Sequence, residues 1–102
     1  MRFSENLLFK GINDNEKEEI LNHIKSGNDV FNIYLLCKTK NQNLFELFEV
    51  SELLTPYYSR QNYLVLGLAR GKQNGMELAK EIIEDYYNKH GSLEGIKNAI
   101  GN

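Results

Sequence analysis

The residues best suited to chemistry lie in Gly67-Leu68-Ala69-Arg70-Gly71-Lys72-Gln73-Asn74-Gly75, which runs from a predicted strand into a predicted helix. A helix N-terminus offers unpaired backbone N–H groups and positive potential, and Arg70, Lys72, Asn74 and Gly75 would add charge and donors to it. The chemistry expected there is anion binding, as in a small-molecule-binding protein or a small enzyme. The loop departs from the nucleotide-binding pattern, because only three residues separate Gly67 from Gly71 and no Ser or Thr follows Lys72 to hold magnesium. It also lacks the glycine spacing of dinucleotide-binding turns. Its competing reading is a capped strand-to-helix turn.

A second candidate is Thr55-Pro56-Tyr57-Tyr58-Ser59-Arg60-Gln61-Asn62-Tyr63. Tyr57, Tyr58, Arg60 and Tyr63 are of the types enriched at binding hot spots, since they bury much area and keep a polar handle. Tyrosines at strand ends also cap small cores with their hydroxyls in water, so a recognition loop competes with a purely structural one.

Other reactive side chains point nowhere in particular. His23 and His90 are the only imidazoles and fall on separate helices without a metal-ligand pattern around them, so no metal and no cofactor is expected. Glu19 and His23 stand four apart on one helical face, the spacing of a surface pair. Cys37 alternates with Phe31, Ile33 and Leu35 and reads as a small buried hydrophobe rather than a nucleophile. Glu46 and Glu49 should project to opposite faces of a strand, which argues against paired acid–base work with Glu52. No catalytic residue is expected.

Composition narrows the classes. At 102 residues, 41% hydrophobic and 25% charged, the chain fits one globular domain spanning 1–102. Its net charge of −2, with Lys and Arg scattered among acids, weighs against nucleic acid, because phosphate grip needs a basic stripe. A single cysteine in so small a domain points to the cytoplasm, and no apolar run approaches membrane-spanning length.

The elements that must position these residues follow from periodicity and caps. Asn13 and Glu16 have capping-box spacing, which predicts a helix from Asp14 to Ser26 with a narrow apolar face of Ile20, Leu21 and Ile24. Val30 to Lys38 reads as an interior strand with Phe31, Ile33, Leu35 and Cys37 on one face. Leu44 to Val50 reads as an edge strand hairpinned to it, and Ser51 to Leu54 as a helical turn cut off by Pro56, with a loop after it. Tyr63 to Arg70 is a second interior strand in which Gly67 marks a bulge or a close backbone contact. Asn74 and Glu77 repeat the capping-box spacing and Gly91 supplies a stop, predicting a long helix from Gly75 to His90. Its apolar stripe of Met76, Ala79, Ile82, Ile83, Tyr86 and Tyr87 is expected to cover the sheet. Ser4 to Lys10 reads as a short helical turn, and Ser92 as the cap of a terminal helix ending at Gly101.

The result is an α+β domain in which a three-stranded sheet, ordered second, first, third, packs against α-helices. Tyr63-Leu64-Val65-Leu66-Gly67-Leu68-Ala69-Arg70-Gly71 leading into Met76-Glu77-Leu78-Ala79-Lys80-Glu81-Ile82, after the strand pair and Leu53-Leu54-Thr55-Pro56-Tyr57-Tyr58, resembles small uncharacterised bacterial proteins of Gram-positive type. The resemblance spans Val30 to Gly91 and implies neither an activity nor catalytic residues. From the edge strand, the tyrosine loop and a sheet short of cover, the expected function is a non-catalytic interaction or regulatory module, acting as a homodimer or docked on another protein.

Overall fold

The computed structural model describes residues 1–100 and is built on one four-stranded sheet. Its strands are β1 (Arg2–Lys10), β2 (Ile33–Lys38), β3 (Glu46–Glu49) and β4 (Leu64–Arg70), ordered β1-β4-β2-β3. The three strands expected from sequence keep their expected neighbours, with β2 antiparallel to both β3 and β4. The sheet nevertheless has four strands rather than three, because β1 pairs in parallel with β4 where a helical turn was expected at Ser4 to Lys10. Its register jumps between Phe3↔Val65 and Leu8↔Gly67, so the intervening residues bulge away from the ladder. That interruption destroys the alternation by which a strand is recognised.

One face of the sheet is covered by α1 (Asp14–Lys25), α2 (Val50–Leu53) and α3 (Pro56–Arg60). Ile33, Leu35, Cys37, Val65 and Leu68 of the sheet share a core there with Ile20, Ile24, Val50 and Leu53. The α1 cap uses the expected pair, the Asn13 N–H donating to the Glu16 carboxylate at 3.3 Å. Pro56 does separate two segments, but the second is helical, not a loop: Thr55 precedes α3 in extended conformation and Pro56 takes its first position, where a missing N–H costs nothing.

The opposite face carries α4 (Lys72–His90) and α5 (Ile96–Ala99). Two glycines set how closely α4 approaches. A Cβ on Gly67 would lie 2.7 Å from a Leu78 methyl and 3.0 Å from the Leu8 carbonyl oxygen, and one on Gly75 would lie 2.7 Å from Leu47. Gly67 is therefore the close backbone contact that its place in a strand implied. Lys10 ties β1 to this helix through Glu81 and, at 3.9 Å, Glu77. Lys97 donates to the carbonyls of Asn41 and Asn43, which fastens α5 over the β2–β3 hairpin. The terminal helix was expected to end at Gly101, which lies outside the described residues.

Two boundaries move for local reasons. α4 begins at Lys72 instead of Gly75, because Gly71 at φ 82° makes the entry turn and the Asn74 amide donates to the Arg70 carbonyl at 2.8 Å instead of capping. β2 begins at Ile33 instead of Val30, because Asn32 adopts φ 58° and breaks the extended run. That turn throws Phe31 outward, 91% exposed, although alternation had placed it in the core with Ile33. No helix among the described residues is long and apolar enough to cross a membrane.

Candidate functional site

The strand-to-helix turn brings its four candidate residues together, but their polar groups face protein. The Arg70 guanidinium donates through Nε to the Gly11 carbonyl at 3.1 Å and through a terminal nitrogen to Glu16 at 2.8 Å. Asn74 donates to the Arg70 carbonyl, and the Gly71 N–H donates to the Asn32 carbonyl at 2.8 Å. Gly75 is buried beneath Leu47. Lys72 is exposed, and the Arg70 side chain is partly so. The turn thus works as a joint that fastens the ends of β1, α1 and β4 to one another. Arg70, one of its two cations, is engaged by the Glu16 carboxylate, which lowers what a ligand anion would gain from it.

The tyrosine segment packs inward. Phe48 is the hub, with its ring 5.4 Å from Tyr63 in a stacked arrangement and 5.1 Å from Tyr58 in a tilted one. Tyr57 stands edge-on to Tyr58 at 5.0 Å and is the tyrosine of this group left exposed. Burial, the largest cause, and the neighbouring Glu46 carboxylate push the Tyr63 hydroxyl above its ordinary value. Arg60 ends α3 in solvent. These rings close the end of the core between β3 and β4.

The remaining reactive groups have structural partners. Cys37 is fully buried, and burial pushes its thiol up to about 12, far from the thiolate that nucleophilic attack needs. Glu49 accepts from the Tyr34 hydroxyl at 3.1 Å, and the Glu49 N–H donates to Glu52 at 2.9 Å, so both carboxylates serve the hairpin and the start of α2. Glu46 accepts from the Asn41 side chain. His23 lies 3.8 Å from Glu19, and His90 packs on the Tyr86 ring at 4.1 Å. Among the described residues no three His, Cys, Asp or Glu side chains are grouped to hold a metal.

What sequence reasoning missed is the outward side of α4. The stripe expected to cover the sheet is split by the helix: Leu78 and Gly75 are buried and Ala79, Ile82 and Tyr86 half-buried, whereas Met76 is 61% and Tyr87 53% exposed. Ile83 is half-buried between them, and Leu93 continues the ledge beyond the helix end. Two shallow, open depressions lie along it, one lined by Lys72, Gln73, Met76, Glu77 and Lys80, the other by Ile83, Glu84, Tyr87, Asn88 and Leu93. Met76, Ile83 and Tyr87 lie at one margin of the apolar arc, and the helix turns the opposite margin, where Leu78 is buried, to the sheet.

No family model, curated protein or solved structure matches this chain.

Proposed function

We propose that the chain is a non-catalytic protein-interaction or regulatory module, acting as a homodimer or docked on another protein, and that it docks through the outward side of α4. The observation that carries this reading is the alignment of Met76 and Tyr87, both more than half exposed, on a helix whose other side is packed against the sheet. Aromatic and methionine side chains are enriched at protein interfaces, and aligned apolar exposure is costly in water unless something covers it. Phe31, beside Arg70 at the entry to β2, is a single protruding ring rather than a surface.

A small-molecule or anion site at the 70–75 turn is the weaker reading, since Arg70 is held by Glu16 and Gly11. The lone buried Cys37 supports a reducing, cytoplasmic setting, and the resemblance to small Gram-positive-type proteins supports a bacterial source. Affinity capture from lysate of the source cells tests the docking surface. The expected result is that proteins bound by the wild type, including further copies of the chain, are lost with Met76→Glu/Tyr87→Glu. Retention by that variant, or a thermal shift with inorganic phosphate or nucleotides that Arg70→Ala removes, would favour the other reading.

A further inference from the structure

We propose a second docking site, for a cationic side chain of a basic peptide segment, in the hollow beside Phe31 at the entry to β2. The hollow encloses about 220 Å³, and its lining combines two aromatic residues, Phe31 and Tyr34, with two carboxylates, Asp29 and Glu49. Aromatic faces attract a cation and carboxylates pair with it, so this set suits an ammonium or guanidinium group and repels an anion. A guanidinium, which stacks on a ring and forks onto a carboxylate, uses both kinds of group at once. The site shares no residue with the outward side of α4, so the two docking surfaces stand or fall separately.

The chain leaves this hollow without a cation of its own. Elsewhere it seats lysines on aromatic rings: Lys17 lies 4.6 Å from the centre of Phe9, and Lys25 5.2 Å from that of Phe3. Among the described residues no cation covers Phe31 or Tyr34, and Phe31 stands 91% exposed. Asp29 and Glu49 have no cationic partner among the described residues either. Arg70 borders the adjoining hollow, which shares Asp29, Val30 and Phe31, but its guanidinium is held by Glu16 and the Gly11 carbonyl. The fold gains nothing from a ring held this far into water, whereas a cation seated there meets the ring and the carboxylates together.

The groups are fixed before a ligand arrives. The Tyr34 hydroxyl donates to Glu49 at 3.1 Å, and the Asn32 carbonyl accepts from the Gly71 N–H at 2.8 Å, which pins the left-handed turn that throws Phe31 outward. Such tethering lowers the ordering cost of binding. Charge around the site then selects the occupant. The adjoining hollow carries Glu16, Glu19 and Asp29, and a further one, which shares Glu19 and His23 with it, carries Glu18. Glu16 is matched by Arg70 and Glu19 lies 3.8 Å from His23, whereas Glu18 and Asp29 are unmatched among the described residues. Carboxylates therefore continue from the hollow onto α1, and their complement is an extended segment with several cations rather than a lone amine. An arginine-rich peptide has that chemistry.

Amide chemical shifts followed during titration with a tetra-arginine peptide at low ionic strength test the site. The expected result is saturable movement of residues 29–34 and Glu49, with affinity weakened roughly fivefold by Phe31→Leu, which keeps apolar bulk but removes the π face. Asp29→Asn should weaken binding by a similar factor, whereas Glu84→Gln, which removes the same charge from α4, should change it by less than about twofold. These positions are all exposed, and unchanged amide dispersion keeps folding out of the comparison. Absence of saturable shifts at residues 29–34 overturns the proposal. Equal losses for Asp29→Asn and Glu84→Gln reduce the binding to net charge and overturn it too, as does undiminished binding by Phe31→Leu. Free arginine amide bound as tightly as the peptide overturns the peptide as occupant.

Discussion

The tyrosines packed on Phe48 and the tyrosine that shares a helix face with Met76 meet water in opposite ways. Tyr63 stacks on Phe48 and Tyr58 packs against it at a tilt, sealing the core, although their segment is rich in the residue types found at binding sites. Tyr87 and Met76 lie on a helix whose periodicity advertises core packing, yet they face outward. Residue type alone thus misassigns both regions. What separates them is geometry: two rings brought against one buried hub shield one another, whereas a helix can turn only one side to a sheet.

The sharpest way to break this contrast is to truncate one member of each region. Phe48→Ala should destabilise the fold by about 3–5 kcal/mol, the usual cost of emptying an aromatic core site. Met76→Ala should stay within roughly 0.5 kcal/mol of wild type, as for a surface position. Urea unfolding in dilute solution reads both, and comparable losses would erase the distinction.

Alkaline pH probes the closed side further. The Cys37 thiol is raised from 9.0 to about 12 by burial, so above pH 9 the unfolded state binds fewer protons than the folded state. Its contribution is fully present below pH 9 and is lost as pH rises toward 12, by up to roughly 1.4 kcal/mol per pH unit. Cys37→Ala should flatten the fall of stability over this window, whatever it costs at neutral pH. Parallel wild-type and variant curves between pH 9 and 11 would mean that the thiol is accessible to solvent.

Smaller effects test how α4 is seated. Gly67→Ala should cost about 1–3 kcal/mol through overpacking, since the added Cβ meets the Leu78 side chain and the fixed carbonyl of Leu8. Loss of near-ultraviolet dichroism without loss of helix would show α4 lifting off the sheet. Arg70→Ala should cost only about 1 kcal/mol, because its pair with Glu16 is more than a third exposed at both partners. If the turn is a joint and not a ligand site, inorganic phosphate should leave the melting temperature of both wild type and variant unchanged.

Much of this architecture was legible in the sequence. Leu35, Leu68, Ile20 and Ile24 sit where their periodicity placed them, because strong apolar runs bounded by turn residues leave few alternatives. β1 was not legible: its bulge breaks the alternation, and Ser4 and Gly11 imitate helix caps around it. Phe31 was misplaced because a left-handed Asn32 costs little and leaves no mark on hydrophobic pattern. At the candidate site the turn residues were found but not their partners, since Glu16 and Gly11 are remote in sequence from Arg70. The α4 ledge went unseen because apolar residues were counted as one stripe.

The most direct measurement is residue-resolved: amide chemical shifts followed while the protein concentration is raised from tens of micromolar to about a millimolar, a span suited to a weak interface. Shifts should move together along the outward positions from Gln73 to Tyr87 and at Leu93, while Phe48, Tyr58 and Tyr63 stay fixed. Movement confined to Tyr57 through Tyr63, with α4 silent, would contradict the assignment of the two regions.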